Sequence, residues 1–174
     1  MACCSPEIWW GWNARLIFGV LDVVEFGCVV ALIILSALYL TNFQAGECYL
    51  DGYNGYTDLT VCYSVFWATV VAAIISFAAA VGQISTCCSL VVVALIDFTS
   101  AGLLSFWWFA VAVYWNYSGT EADRLGLPFQ QQRTAAMVLP WVISASYAVS
   151  GFIVLGKLTS LFCGGNEDFR KSHI

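Results

Sequence analysis

Charge is what this chain has least of. Only 10% of its 174 residues are Asp, Glu, Lys or Arg, whereas a soluble domain carries about 25% and needs them to cover its surface. Histidine is reduced to His173, and no two of the eight cysteines are spaced Cys-x-x-Cys. A zinc knuckle, a membrane thiol oxidoreductase site, a resident metal or another cofactor is therefore not expected. Of three prolines, only Pro140 interrupts a long apolar run. The polar segments are too short to build a core of their own, so no second domain is expected.

What is present is apolar: 61% of the residues are hydrophobic. A helix needs about 20 consecutive apolar residues to cross a hydrocarbon core about 30 Å thick. Four stretches qualify, Leu16 to Leu40, Val61 to Val81, Leu90 to Trp115 and Ala135 to Leu155. The expected fold class is an all-α membrane protein, a bundle of four transmembrane helices. Residues 1–15 form a Trp-rich amphipathic lead-in, 16–161 the helical unit and 162–174 a short tail. The first run is too long for a signal-peptide core, and Tyr39-Leu40-Thr41 offers no small-x-small cleavage pattern.

Three signals place both termini in the cytosol. Arg15, Lys157, Arg170 and Lys171 lie on the side of the termini, against Arg124 and Arg133 opposite, which satisfies the positive-inside rule. The connection between the first two spans holds only Cys48 and Cys62; an even pair in an oxidising compartment is normally a disulfide. Asn116-Tyr117-Ser118, expected in the loop between spans three and four, is a glycosylation sequon on that same lumenal side. Cys3, Cys4, Cys87, Cys88 and Cys163 fall at cytosolic membrane edges and are S-acylation candidates, while Cys28 reads as a small core residue. Trp9, Trp10 and Trp12 suit the headgroup level, as do Trp115 and Tyr117 at the other interface.

The residues able to carry chemistry are intramembrane acids. Asp22 and Glu25 stand at i and i+3, on one helix face. Asp22 is about 9 Å past Leu16 and Asp97 about 10 Å past Leu90, so the two share a depth. An ionised carboxylate there costs about 3 kcal/mol, which favours an interior position with partners. Lys157 is the base with reach to snorkel towards them. Two readings follow: a proton or cation path, or interhelical glue with Thr99, Ser100 or Ser105; the second is preferred, because transporters show internal repeats or broken helices. Ala72, Ala73, Ser76, Ala79 and Ala80, with Ser100, Ala101 and Gly102, offer close-approach surfaces, and the short turn Gly82 to Ser89 makes spans two and three an antiparallel hairpin.

A set of local motifs resembles the MARVEL superfamily, most closely its synaptogyrin and synaptophysin branch. They are Ala14-Arg15-Leu16 with Phe26-Gly27, Cys48-Tyr49 with Val61-Cys62-Tyr63, Ile96-Asp97 leading to Ser105-Phe106-Trp107-Trp108-Phe109, and Gln132-Arg133-Thr134-Ala135-Ala136. The resemblance implies an M-shaped bundle, homo-oligomers, sterol-rich vesicle or plasma membrane, and roles in vesicle biogenesis, trafficking or membrane apposition. Synaptic members carry a long Tyr- and Gly-rich tail that residues 162–174 do not match, so tail-mediated sorting is not expected. The expected function is non-enzymatic organisation of membrane, with lipid and further copies as partners and no nucleic acid. The alternatives are an auxiliary subunit of a pump or channel, and a small proton or cation transporter using Asp22, Glu25 and Asp97.

Overall fold

A computed structural model describes residues 12–52, 59–85 and 90–171, with side chains over 17–52, 59–79, 81, 91–156 and 158–159. Cys3, Cys4, Cys87 and Cys88 lie outside the described residues, as do the side chains of Cys163 and Lys157. The chain is a multi-pass, all-α membrane protein whose four helices are each long and apolar enough to cross a bilayer. They are α1 (Trp12–Leu35), α2 (Thr60–Ser85), α3 (Leu90–Arg124) and α4 (Gln130–Lys171). α3 packs most extensively on α4, α1 lies on α4, α2 lies on α3, and α1 barely meets α2. The neighbour order is thus α1, α4, α3, α2, with a cleft left between first and last.

Two helices outrun their apolar stretches. α3 continues about two and a half turns past Trp115, and α4 starts at Gln130, before Ala135, and runs on beyond Leu155. The sequon Asn116-Tyr117-Ser118 therefore sits in a helix and not in a loop, with Asn116 exposed and Ser118 buried. The extension is stabilised by a buried stripe, Trp115, Ser118, Gly119 and Ala122, at the spacing of one helical face. Trp115 is correspondingly fully enclosed, and Tyr117 is exposed.

Polar contacts register the helices. Ser105 Oγ donates to Ser144 O at 3.0 Å and Ser144 Oγ donates back to Ser105 O at 2.9 Å, a reciprocal clasp between α3 and α4. Trp107 Nε1 donates to Ala68 O at 3.0 Å and Trp115 Nε1 to Ser64 Oγ at 2.9 Å, tying α3 to α2. Such bonds average about 0.6 kcal/mol each in a membrane, so they set alignment more than stability. The outer surface is aromatic and aliphatic, with Phe26, Phe77, Phe106 and Phe152 each more than 70% exposed. That exposure matches a hydrocarbon solvent.

The connection from α1 to α2 folds into a cap. A single π-helical turn, Ser36–Leu40, re-aims the end of α1 so that Leu40 is enclosed. A hairpin follows, β1 (Thr41–Asn42) antiparallel to β2 (Glu47–Cys48), with Thr41 opposite Cys48. Its turn uses Gly46 at φ 70°, a left-handed conformation open to glycine. A disulfide joins Cys48 to Cys62 at the start of α2, Cα to Cα 5.8 Å.

Gly52 shows how closely this cap is seated. Its amide donates to Ser118 O at 3.3 Å, and a Cβ there would fall inside the backbone of Glu121 and Ala122. Neither element can yield as a side chain would. Gly52→Ala is expected to lower stability by about 1–3 kcal/mol, the range for overpacking. Thermal unfolding in detergent checks this; an unchanged midpoint would mean the cap rests loosely on α3.

Candidate functional site

Two constellations emerge, one in the cap and one within the span. The first centres on Arg133, on the second turn of α4, whose side chain is 0% exposed. Its Nε donates to Asp123 Oδ1 at 2.8 Å, and its Nη1 donates to Tyr49 O at 2.9 Å and Pro128 O at 3.0 Å. Nη2 donates to the same Asp123 oxygen and to Leu127 O. A guanidinium has five N–H donors, and all five are engaged. The acceptors come from the hairpin segment, the end of α3 and the α3–α4 turn, so one side chain holds three parts of the chain together. Phe129, in that turn, takes φ 63° and places its ring 5.6 Å from that of Tyr49 and 6.2 Å from that of Tyr39. Sequence reasoning treated Arg133 as a topology charge and missed this role. One signal was available: an acid and an arginine ten residues apart across Gly126-Leu127-Pro128.

The second constellation is a cavity of about 520 Å³ between α1, α3 and α4. Asp22, Glu25, Asp97, Ser100, Tyr147 and Ser150 supply its polar lining. The three intramembrane acids thus surround one space, although α1 and α3 scarcely touch. A narrower cavity of about 280 Å³ opens on the α2 side of α1 and shares Asp22, Glu25 and Tyr147 with the first. The i, i+3 spacing of the acids on α1 turns both towards this wall.

The hydroxyls near Asp97 are otherwise engaged. Thr99 Oγ1 donates to Leu95 O at 2.7 Å and Ser100 Oγ to the backbone carbonyl of Asp97 at 3.0 Å, both within α3. Ser105 belongs to the clasp with Ser144. Tyr147, which sequence reasoning did not single out, faces Glu25 and Ser76 closely enough for its hydroxyl to interact with both. Glu25 is only 7% exposed, and its Oε1 has no hydrogen-bond partner. Cys28, one turn further on, is half-buried against the main core. Among the described residues, no group of three His, Cys, Asp or Glu is disposed to hold a metal ion.

Comparison with protein-family models, with curated proteins and with solved structures finds no match.

Proposed function

We infer that this chain is a non-enzymatic organiser of vesicle or plasma membrane that acts as an oligomer, with both termini cytosolic and the cap on the lumenal or extracellular side. The observation that carries this reading is the accessibility of close-approach positions: Gly102 on α3 faces out of the bundle among large apolar side chains, and Ala73 and Ser76 on α2 line the open cleft beside α1. Small accessible residues let a neighbouring helix approach where lipid offers no hydrophobic driving force. The apolar groove between α2 and α3, about 490 Å³ and lined by Ile75, Ala79, Leu95 and Leu103 among others, suits an acyl chain or a sterol. The motifs resembling the MARVEL superfamily agree with such a role. Mass measurement in a mild detergent is the test. Several copies per particle are expected; a monomer, or one copy bound to a different large assembly, would replace this reading with that of an auxiliary subunit.

A second reading, a proton or cation transporter, is favoured by one observation, the meeting of Asp22, Glu25 and Asp97 at a single cavity. Reconstitution into liposomes loaded with a pH dye separates the two. The organiser should give the same trace as protein-free liposomes. A flux that vanishes in Asp97→Asn would establish transport, because a carboxamide cannot cycle a proton.

A further inference from the structure

The acid-lined cavity has the volume and chemistry of a ligand site. At about 520 Å³ it falls within the range of small-molecule pockets, roughly 300–1,000 Å³, and far above the space of one water, about 30 Å³. Its lining divides in two. Asp22, Glu25 and Asp97 bring three carboxyl groups, while Phe18, Leu104 and Val154 form an apolar wall. Among the described residues no Lys, Arg or His lines it. A buried carboxyl oxygen without a partner is costly in hydrocarbon, and Glu25 Oε1 is such an atom. A group that donates a hydrogen bond and carries positive charge would satisfy it once the carboxyl group turns that oxygen towards the cavity.

The arrangement also selects among cations. The carboxyl groups are too dispersed to close around one metal ion, yet they border one space, which suits an extended cation with separate polar and apolar ends. An aminophospholipid headgroup would bring a phosphate against the three acids that line the cavity. We propose that this cavity binds a lipophilic primary ammonium ion, its –NH3+ group held by Glu25 with Asp22 and Asp97 nearby and its apolar body lying along Phe18, Leu104 and Val154. The site is independent of the organising role and holds whether or not the chain assembles.

The same chemistry occurs in a water-soluble arylalkylamine and in a membrane-borne long-chain base, and two arms distinguish them. In the first, purified full-length protein in maltoside detergent is titrated calorimetrically with 2-phenylethylamine and with the neutral isostere 2-phenylethanol. In the second, protein in phosphatidylcholine nanodiscs is titrated with sphingosine and followed by tryptophan fluorescence. Saturable binding of an amine in at least one arm, with none of the alcohol, is expected; the arm that saturates at lower concentration identifies the source. Glu25→Gln should weaken binding at least tenfold, whereas Glu47→Gln in the cap should leave it unchanged. If Glu25→Gln does not fold, Ser150→Leu narrows the cavity without touching a carboxyl group and should also abolish binding. Equal binding of amine and alcohol, retention of affinity in the cavity variants, or no saturable amine binding in either arm would overturn the assignment.

Discussion

Replacing Arg133 with methionine is expected to destabilise the protein by about 3 kcal/mol, the low end for breaking a buried ion pair. The low end applies because Asp123 is 27% exposed and can recover water, while Arg133 is wholly enclosed. The carbonyls of Tyr49, Leu127 and Pro128 would lose their donor together. Arg133→Lys should recover little, since an ammonium has three donors and no planar fork. Asp123→Asn should be milder, because a carboxamide oxygen still accepts from the guanidinium. Equilibrium unfolding in detergent micelles, followed by tryptophan fluorescence, reports the ranking, Trp115 being buried beneath the cap. A methionine variant within 0.5 kcal/mol of the native protein, on the order of an ordinary surface change, would remove Arg133 from its central role.

Removing the disulfide should cost a similar amount. Cys48 and Cys62 are 14 positions apart, and a loop of about that size contributes about 3 kcal/mol in the chain-entropy model. Cys48→Ser with Cys62→Ser should lower stability accordingly, and a reducing agent should then have no further effect. Thiol titration of non-reduced protein should find neither sulfur free; both found free would end the prediction. The Arg133 and disulfide losses should not add. Tyr49, which accepts from Arg133, adjoins Cys48, so either change loosens the same segment. A combined variant should fall short of the sum by at least about 0.5 kcal/mol, as for residues sharing a network.

The spans were legible in the sequence because hydrocarbon imposes one condition, a long uncharged run, on every segment that crosses it. The disulfide pair was legible for a comparable reason: two cysteines isolated in one connection have few alternatives. The end of α3 was not. Ser118, Gly119 and Glu121 look like a loop, and their helical register appears only when Trp115 and Ala122 are seen buried on the same face. The burial of Trp115 was not legible either, because an indole near a span end suits a headgroup as well as a core, and Ser64, its partner, is 51 positions away. The shared depth of Asp22 and Asp97 followed from helical rise alone. That Tyr147 joins Glu25 depends on α1 lying against α4, which no local pattern states.

Arg133 reaches a carbonyl 84 residues earlier in the chain, and that interval also has a meaning in time. At about 5–20 residues per second of synthesis, roughly 4 to 17 s separate the emergence of Tyr49 from that of the side chain that clamps it. The disulfide partners are 14 positions apart and come out almost together. Through that delay the hairpin segment has its sulfur staple but not its guanidinium, and α1 and α2, which barely meet, have little else to hold them in common. The fourth helix therefore brings both the surface on which α1 and α3 pack and the side chain that clamps the cap.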